Sequence, residues 1–133
     1  MRVEPDGLSP CDLALFGEAP GFEEQEQGRG FVGKAGRELW EGFRRHKLPD
    51  RSRWYVSNIV KEGLPKNRDP KPAEVAAALP EFIDEILRVR PRFMVCAGAF
   101  STKAVLGDVL MANVHGIPHA AEVAGHRFVC VPI

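Results

Sequence analysis

The stretch from Gly17 to Gly36, GEAPGFEEQEQGRGFVGKAG, constrains the fold of this chain more than any other. It follows an apolar run, Leu13-Ala14-Leu15-Phe16, with the composition of a buried strand, and a helical pattern opens at about Lys34. The stretch holds six glycines, a proline, a group of carboxylates and the aromatic Phe31. Glycine tolerates positive φ and lets a ligand approach the backbone closely. Loops of this length without structure of their own are uncommon in compact domains unless they are functional or disordered. A strand feeding such an acid-bearing loop predicts a ligand site at the carboxyl edge of a parallel sheet.

The remainder of the chain repeats the strand-helix alternation. Ala35, Leu39, Trp40 and Phe43 recur at helical spacing between Lys34 and Lys47. Trp54 to Val60 is β-branched and aromatic and predicts a second strand. Lys61 to Pro72 is a loop on its turn chemistry. Val75, Leu79, Phe82, Ile83, Ile86 and Leu87 then share one helical face, which Pro80 should kink or divide. Phe93 to Ala97 predicts a third strand, and Gly98 opens a short helix through Lys103 to Leu106. From Gly107 the pattern is least legible, and His115, Gly116, Pro118 and His119 predict a loop before a fourth strand at Phe128 to Val131. This order argues for an α/β fold with helices on both faces of a mostly parallel sheet. The 133 residues predict one domain, residues 1–133, ending after its fourth strand.

Charge narrows the function. Lys+Arg and Asp+Glu both number 18, so the overall balance gives no support to nonspecific polyanion binding, although a local basic face is compatible with it. No apolar run is long enough to cross a membrane, and the first residues lack the pattern of a signal peptide. The three cysteines have no close spacing, and Cys96 and Cys130 lie in apolar strand-like runs. A reduced, cytoplasmic, monomeric protein is expected.

Three candidate sites converge on the carboxyl edge: the Gly17–Gly36 loop, Asn58 at the end of the second strand, and whatever follows Pro132. An asparagine there offers a donor and an acceptor to one planar edge. Phe31, between Gly30 and Gly33, is placed to stack on a flat ring, and Glu18 and Glu24 supply carboxylates beside it. Plainer roles stand alongside: Asn58 satisfying loop backbone, Phe31 plugging the core, and Glu23, Glu24 and Glu26 forming a solvated acidic turn. Lys61, Lys66, Arg68 and Lys71 ring the following loop as phosphate-contact candidates. His115 and His119 have metal spacing only on a helix, which Gly116 and Pro118 oppose. The residues by themselves define a small-ligand or nucleotide site and no reaction.

The motifs also resemble those of a known family. Gly17-Glu18-Ala19-Pro20-Gly21, with Gly28-Arg29-Gly30-Phe31-Val32-Gly33-Lys34-Ala35-Gly36, resembles the first motif of family-four uracil-DNA glycosylases. Tyr55-Val56-Ser57-Asn58-Ile59-Val60-Lys61, Asn67-Arg68-Asp69-Pro70, and Arg90-Pro91 through Ala97-Gly98 resemble its later motifs in order. The resemblance implies a three-layer α/β/α sandwich around a four-stranded parallel sheet. It also implies hydrolysis of the N-glycosidic bond of uracil in single- or double-stranded DNA, with the target nucleotide flipped into a pocket. On that template Phe31 stacks on the base and Asn58 reads its amide edge. Glu18 and Glu24 are the catalytic acids, and Gly17, Ala19, Pro20 and Asn67 line the substrate. Ala19 stands where other branches carry an acid or amide, so no strong base is expected there.

Two departures follow from the same resemblance. The family's iron–sulfur cluster takes four cysteines, whereas the corresponding positions here offer only Cys11, with Glu62 after Lys61 and Ala78 before Leu79-Pro80. No cofactor or metal is therefore expected. Val131-Pro132-Ile133 resembles the start of a segment that supplies a histidine, and the chain ends before it. The expectation is a uracil-DNA glycosylase-like enzyme, with a catalytically impaired nucleic-acid or nucleotide binding domain as the alternative.

Overall fold

A computed structural model describes residues 1–133. Strand β1 (Leu13–Gly17) is central because its side chains are apolar on both sides: Ala14 and Phe16 face one layer, Leu15 the other, and all three are fully buried. β1 pairs in parallel with β2 (Trp54–Asn58) on one side and with β3 (Phe93–Cys96) on the other. β3 pairs in parallel with β5 (His126–Pro132), and β4 (His119–Val123) adds to β5 in antiparallel fashion. The order is β2-β1-β3-β5-β4.

The helices complete two outer layers. α2 (Lys34–Arg45) places Leu39, Trp40 and Phe43 against Leu15, Trp54, Val56 and Val95. On the opposite face α3 (Pro72–Val89) and α4 (Ala99–Leu106) cover Ala14, Phe16, Tyr55, Met94 and Phe128. Phe82 meets Phe16 edge-on at 5.0 Å between ring centroids, a favoured aromatic geometry. The expected sandwich and its four parallel strands are therefore present. No helix is long and apolar enough to cross a membrane.

Several expectations are corrected. His119 lies in β4, an edge strand, and not in a loop; its alternating half-buried and exposed residues are alanine-rich and carry little strand signal. The Gly17–Gly36 segment is not structureless, because Phe22–Gln27 forms helix α1. That FEEQEQ run has no apolar periodicity to announce it; Glu24 starts it by accepting from the Gly21 N–H at 3.2 Å. Met111–Val114 is a further short helix, α5. β2 stops at Asn58, and Ile59 and Val60 instead donate to the carbonyls of Gly17 and Glu18 at 2.9 Å. Pro80 neither divides α3 nor ends it: the proline is exposed, so the carbonyl it leaves unbonded, that of exposed Ala76, can be hydrated. Leu87 is 41% exposed, and the buried face of α3 is Phe82, Glu85, Ile86 and Val89.

Candidate active site

In open α/β sheets the carboxyl ends of strands that lead to opposite sides leave a crevice. Here β1 ends between β2 and β3, and the crevice holds a cavity of about 190 Å³. Its lining is Gly17, Glu18, Ala19, Pro20, Glu24, Phe31, Ala35, Gly36, Asn58 and Ala97. A drug-sized ligand usually needs roughly 300 Å³ or more, so this volume suits one small ring.

Asn58 and Phe31 meet across Gly17. A Cβ at Gly17 would stand 2.5 Å from Asn58 Oδ1 and 2.7 Å from Phe31 Cζ, so only glycine lets the two side chains converge there. Phe31 itself adopts a left-handed backbone, φ 56°, which is uncommon for a bulky residue. Two donors fix that conformation: Trp40 Nε1 and an Arg51 terminal nitrogen, each 3.1 Å from the Phe31 carbonyl. Arg51 also lies over the Trp40 ring and donates to Asp6 Oδ2 at 3.3 Å. Gly36, buried in the first turn of α2, lies directly under the Phe31 backbone, where any Cβ would overlap it.

The two candidate acids stand in different surroundings. Glu18 rests against the first turn of α4, its carboxylate packed over Gly98 and facing the Ala99 and Phe100 N–H groups, which lower its pKa. Burial and the nearby charge of Asp69 nevertheless push its pKa above the usual carboxylate range, the backbone donors offsetting part of that rise. Gly98 makes this placement possible: its φ is +97°, and its missing side chain leaves the space the Glu18 carboxylate fills. Glu24 is engaged by backbone instead. Its Oε2 accepts from Val32 N at 2.9 Å and Gly33 N at 2.6 Å, and its Oε1 from Gly21 N. It thereby ties the N-terminal end of α1 to the two residues after Phe31.

The structure brings Gly17, Glu18, Ala19, Pro20, Glu24, Phe31 and Asn58 into one cavity. Asn67 is outside it, in an adjoining cleft that shares Glu24, Ala35 and Gly36. Lys61 is not a surface cation: it is 4% exposed, with Nζ 2.5 Å from Glu85 Oε1. Arg68 is held by Glu74, while Lys66 and Lys71 remain exposed. None of the four histidines lines the cavity.

Sequence reasoning missed Arg51, Trp40 and Glu85. Glu85 had a legible signal, a carboxylate three residues from Phe82 and beside Ile86 on an otherwise apolar helical face. Arg51 had none, since its partners lie 20 and 45 positions away.

The residues present do not fit an iron–sulfur cluster. Cys96 and Cys130 are buried in the core with sulfurs 3.2 Å apart, and Cys11 lies against the Arg53 carbonyl. No three His, Cys, Asp or Glu side chains come together in a metal-holding group.

A doubly wound α/β sheet with a ring-sized, acid-bearing crevice at its switch point defines a class of small-ligand-binding α/β folds. Residues 7–131 match the family model of the Uracil DNA glycosylase superfamily, and the chain belongs to that superfamily. It is similar to a type-4 uracil-DNA glycosylase of Pyrobaculum aerophilum, 38% identical over 104 residues, covering 78% of this chain and 53% of the relative. Similar enzymes of Sulfurisphaera tokodaii and Saccharolobus solfataricus are 34% and 29% identical, over 80% and 98% of this chain and 49% and 62% of theirs. The chain thus spans about half the length of most of the curated relatives it matches.

Proposed function

We propose that this domain takes a flipped-out uracil from DNA into the crevice and hydrolyses its N-glycosidic bond, the first step of base-excision repair. The observation that carries this reading is the convergence of Phe31 and Asn58 at Gly17, in a cavity sized for one ring. Asn58 Oδ1 accepts from the uracil N3–H while Nδ2 donates to the neighbouring carbonyl, and Phe31 stacks on the ring face. The bond from C1′ to N1 breaks with its electron pair on the base. The sugar left behind is cationic, and a water oxygen closes onto C1′. Glu18 favours that cation and orients the water, and one water proton neutralises the departing base. Glu24 holds the loop and adds negative charge at the rim, and Asn67 lies along the path of the adjoining strand. Single- or double-stranded uracil-containing DNA is the partner, acted on by a monomer.

A second reading, uracil recognition without turnover, is favoured by Glu24, whose carboxylate is already taken up by three backbone N–H groups. Excess protein incubated with labelled single-stranded DNA bearing one uracil separates the two, with E18A/N58A as control. Alkali-sensitive cleavage at uracil, absent in the control, supports hydrolysis. Preference for the uracil strand over a matched thymine strand, without cleavage, supports the second reading. The absence of both results would remove uracil as the ligand.

A further inference from the structure

A buried ion pair lies directly behind Asn58. Lys61 and Glu85 have side chains 3% and 1% exposed, and their Nζ and Oε1 are 2.5 Å apart. Lys61 Nζ also donates to the backbone carbonyl of Asn58, at 2.5 Å. The second oxygen of Glu85 accepts from Tyr55 at 2.7 Å and from Ser57 at 2.8 Å. One carboxylate of α3 therefore holds Tyr55 and Ser57 of β2 and Lys61 beyond the strand, and Asn58 lies between Ser57 and Lys61.

Burying two charges is costly, and a pair so placed commonly stabilises a fold no better than apolar side chains of similar size. The pair's contacts run along β2 from Tyr55 to the Asn58 carbonyl, where the strand leaves the sheet and Asn58 lines the cavity. The rest of the α3 face against the sheet, Phe82, Ile86 and Val89, is apolar and needs no charge.

We infer that Lys61 and Glu85 are positioning residues: they fix the backbone of Asn58 so that its amide meets a base edge in one orientation. This rests on the proposed uracil reading for its functional consequence, though not for its structural one. Neither residue touches the ligand, and both act through Asn58.

The double variant K61M/E85Q tests this. It removes both charges together and leaves an amide oxygen to accept from Tyr55 and Ser57. Tyr55→Phe is the control, since it loosens the same carboxylate and leaves the Lys61 bond to Asn58 intact. Asn58 is one of three asparagines, so its side-chain amide signal in a nitrogen-15 spectrum can be assigned by its loss in Asn58→Asp. In folded K61M/E85Q, checked by thermal unfolding, that signal should shift or broaden. The preference for a uracil strand over a thymine strand should fall about ten- to a hundredfold, the scale of an ångström-sized misplacement. Tyr55→Phe should change neither.

An unmoved Asn58 signal in the double variant, or an equal disturbance in Tyr55→Phe, would overturn the inference. Should the native protein show no preference for uracil, the uracil reading fails by itself, and the amide signal still decides whether the pair positions Asn58.

Discussion

Glu18 carries its charge against its surroundings, and the consequence is measurable. Burial and Asp69 raise its pKa in the folded state, so between the ordinary carboxylate value and the raised one the native protein binds more protons than the unfolded chain. Stability from this group is full below the ordinary value and is lost as pH rises through the raised one. Asp6, Glu74 and Glu81 are shifted the other way by arginines, so the comparison must be between proteins. E18Q should lose less stability than the native chain as pH rises from 4 to 7, read from midpoints of thermal unfolding. A parallel pair of curves would place Glu18 in water. Gly98 is bound to the same feature: Gly98→Ala forces a side chain into positive φ and onto the Glu18 carboxylate, and should cost about 1–3 kcal/mol in urea unfolding.

At the scale of elements, α1 and the turn carrying Phe31 form one unit held by Glu24. Glu24→Ala strips an acceptor from three backbone N–H groups. A loss of about 1–3 kcal/mol is expected, with faster amide exchange confined to residues 21–33. Uniform exchange across the sheet would mean that Glu24 serves the whole fold and not this turn. The glycines and acids of this segment were legible in the sequence, yet α1 was not, because a short polar helix leaves no apolar stripe. β4 escaped for a related reason: its alanines follow whatever neighbour they are given. α3 was legible in place but not in its continuity. Pro80→Ala should raise stability by about 1–2 kcal/mol, the penalty of an interior proline less the entropy it removes from the unfolded chain. No gain would show that α3 already accommodates the missing bond.

For the molecule as a whole, balanced charge leaves few cations to meet a phosphate backbone. Lys61 and Arg68 are taken by Glu85 and Glu74, which leaves Lys34, Lys66 and Lys71 exposed around the adjoining cleft and the loop after Asn58. Three phosphate contacts on single-stranded DNA give a slope near about −2 in log affinity against log salt. Fluorescence anisotropy of a labelled uracil strand measures it, and a slope several times steeper would mean a basic face that includes other residues.

The sequence by itself determined the strand-helix alternation, the parallel sheet, and the gathering of Glu18, Phe31 and Asn58 at one edge. Those follow from local apolar periodicity and from glycines whose spacing is short-range. The tertiary structure alone decided that Lys61 turns inward to Glu85, that Glu24 is occupied by backbone, and that Arg51 and Trp40 hold the Phe31 carbonyl. A charged side chain is drawn to water or to a partner with comparable strength. Which one prevails depends on what the fold brings within 3 Å, and no spacing along the chain encodes that.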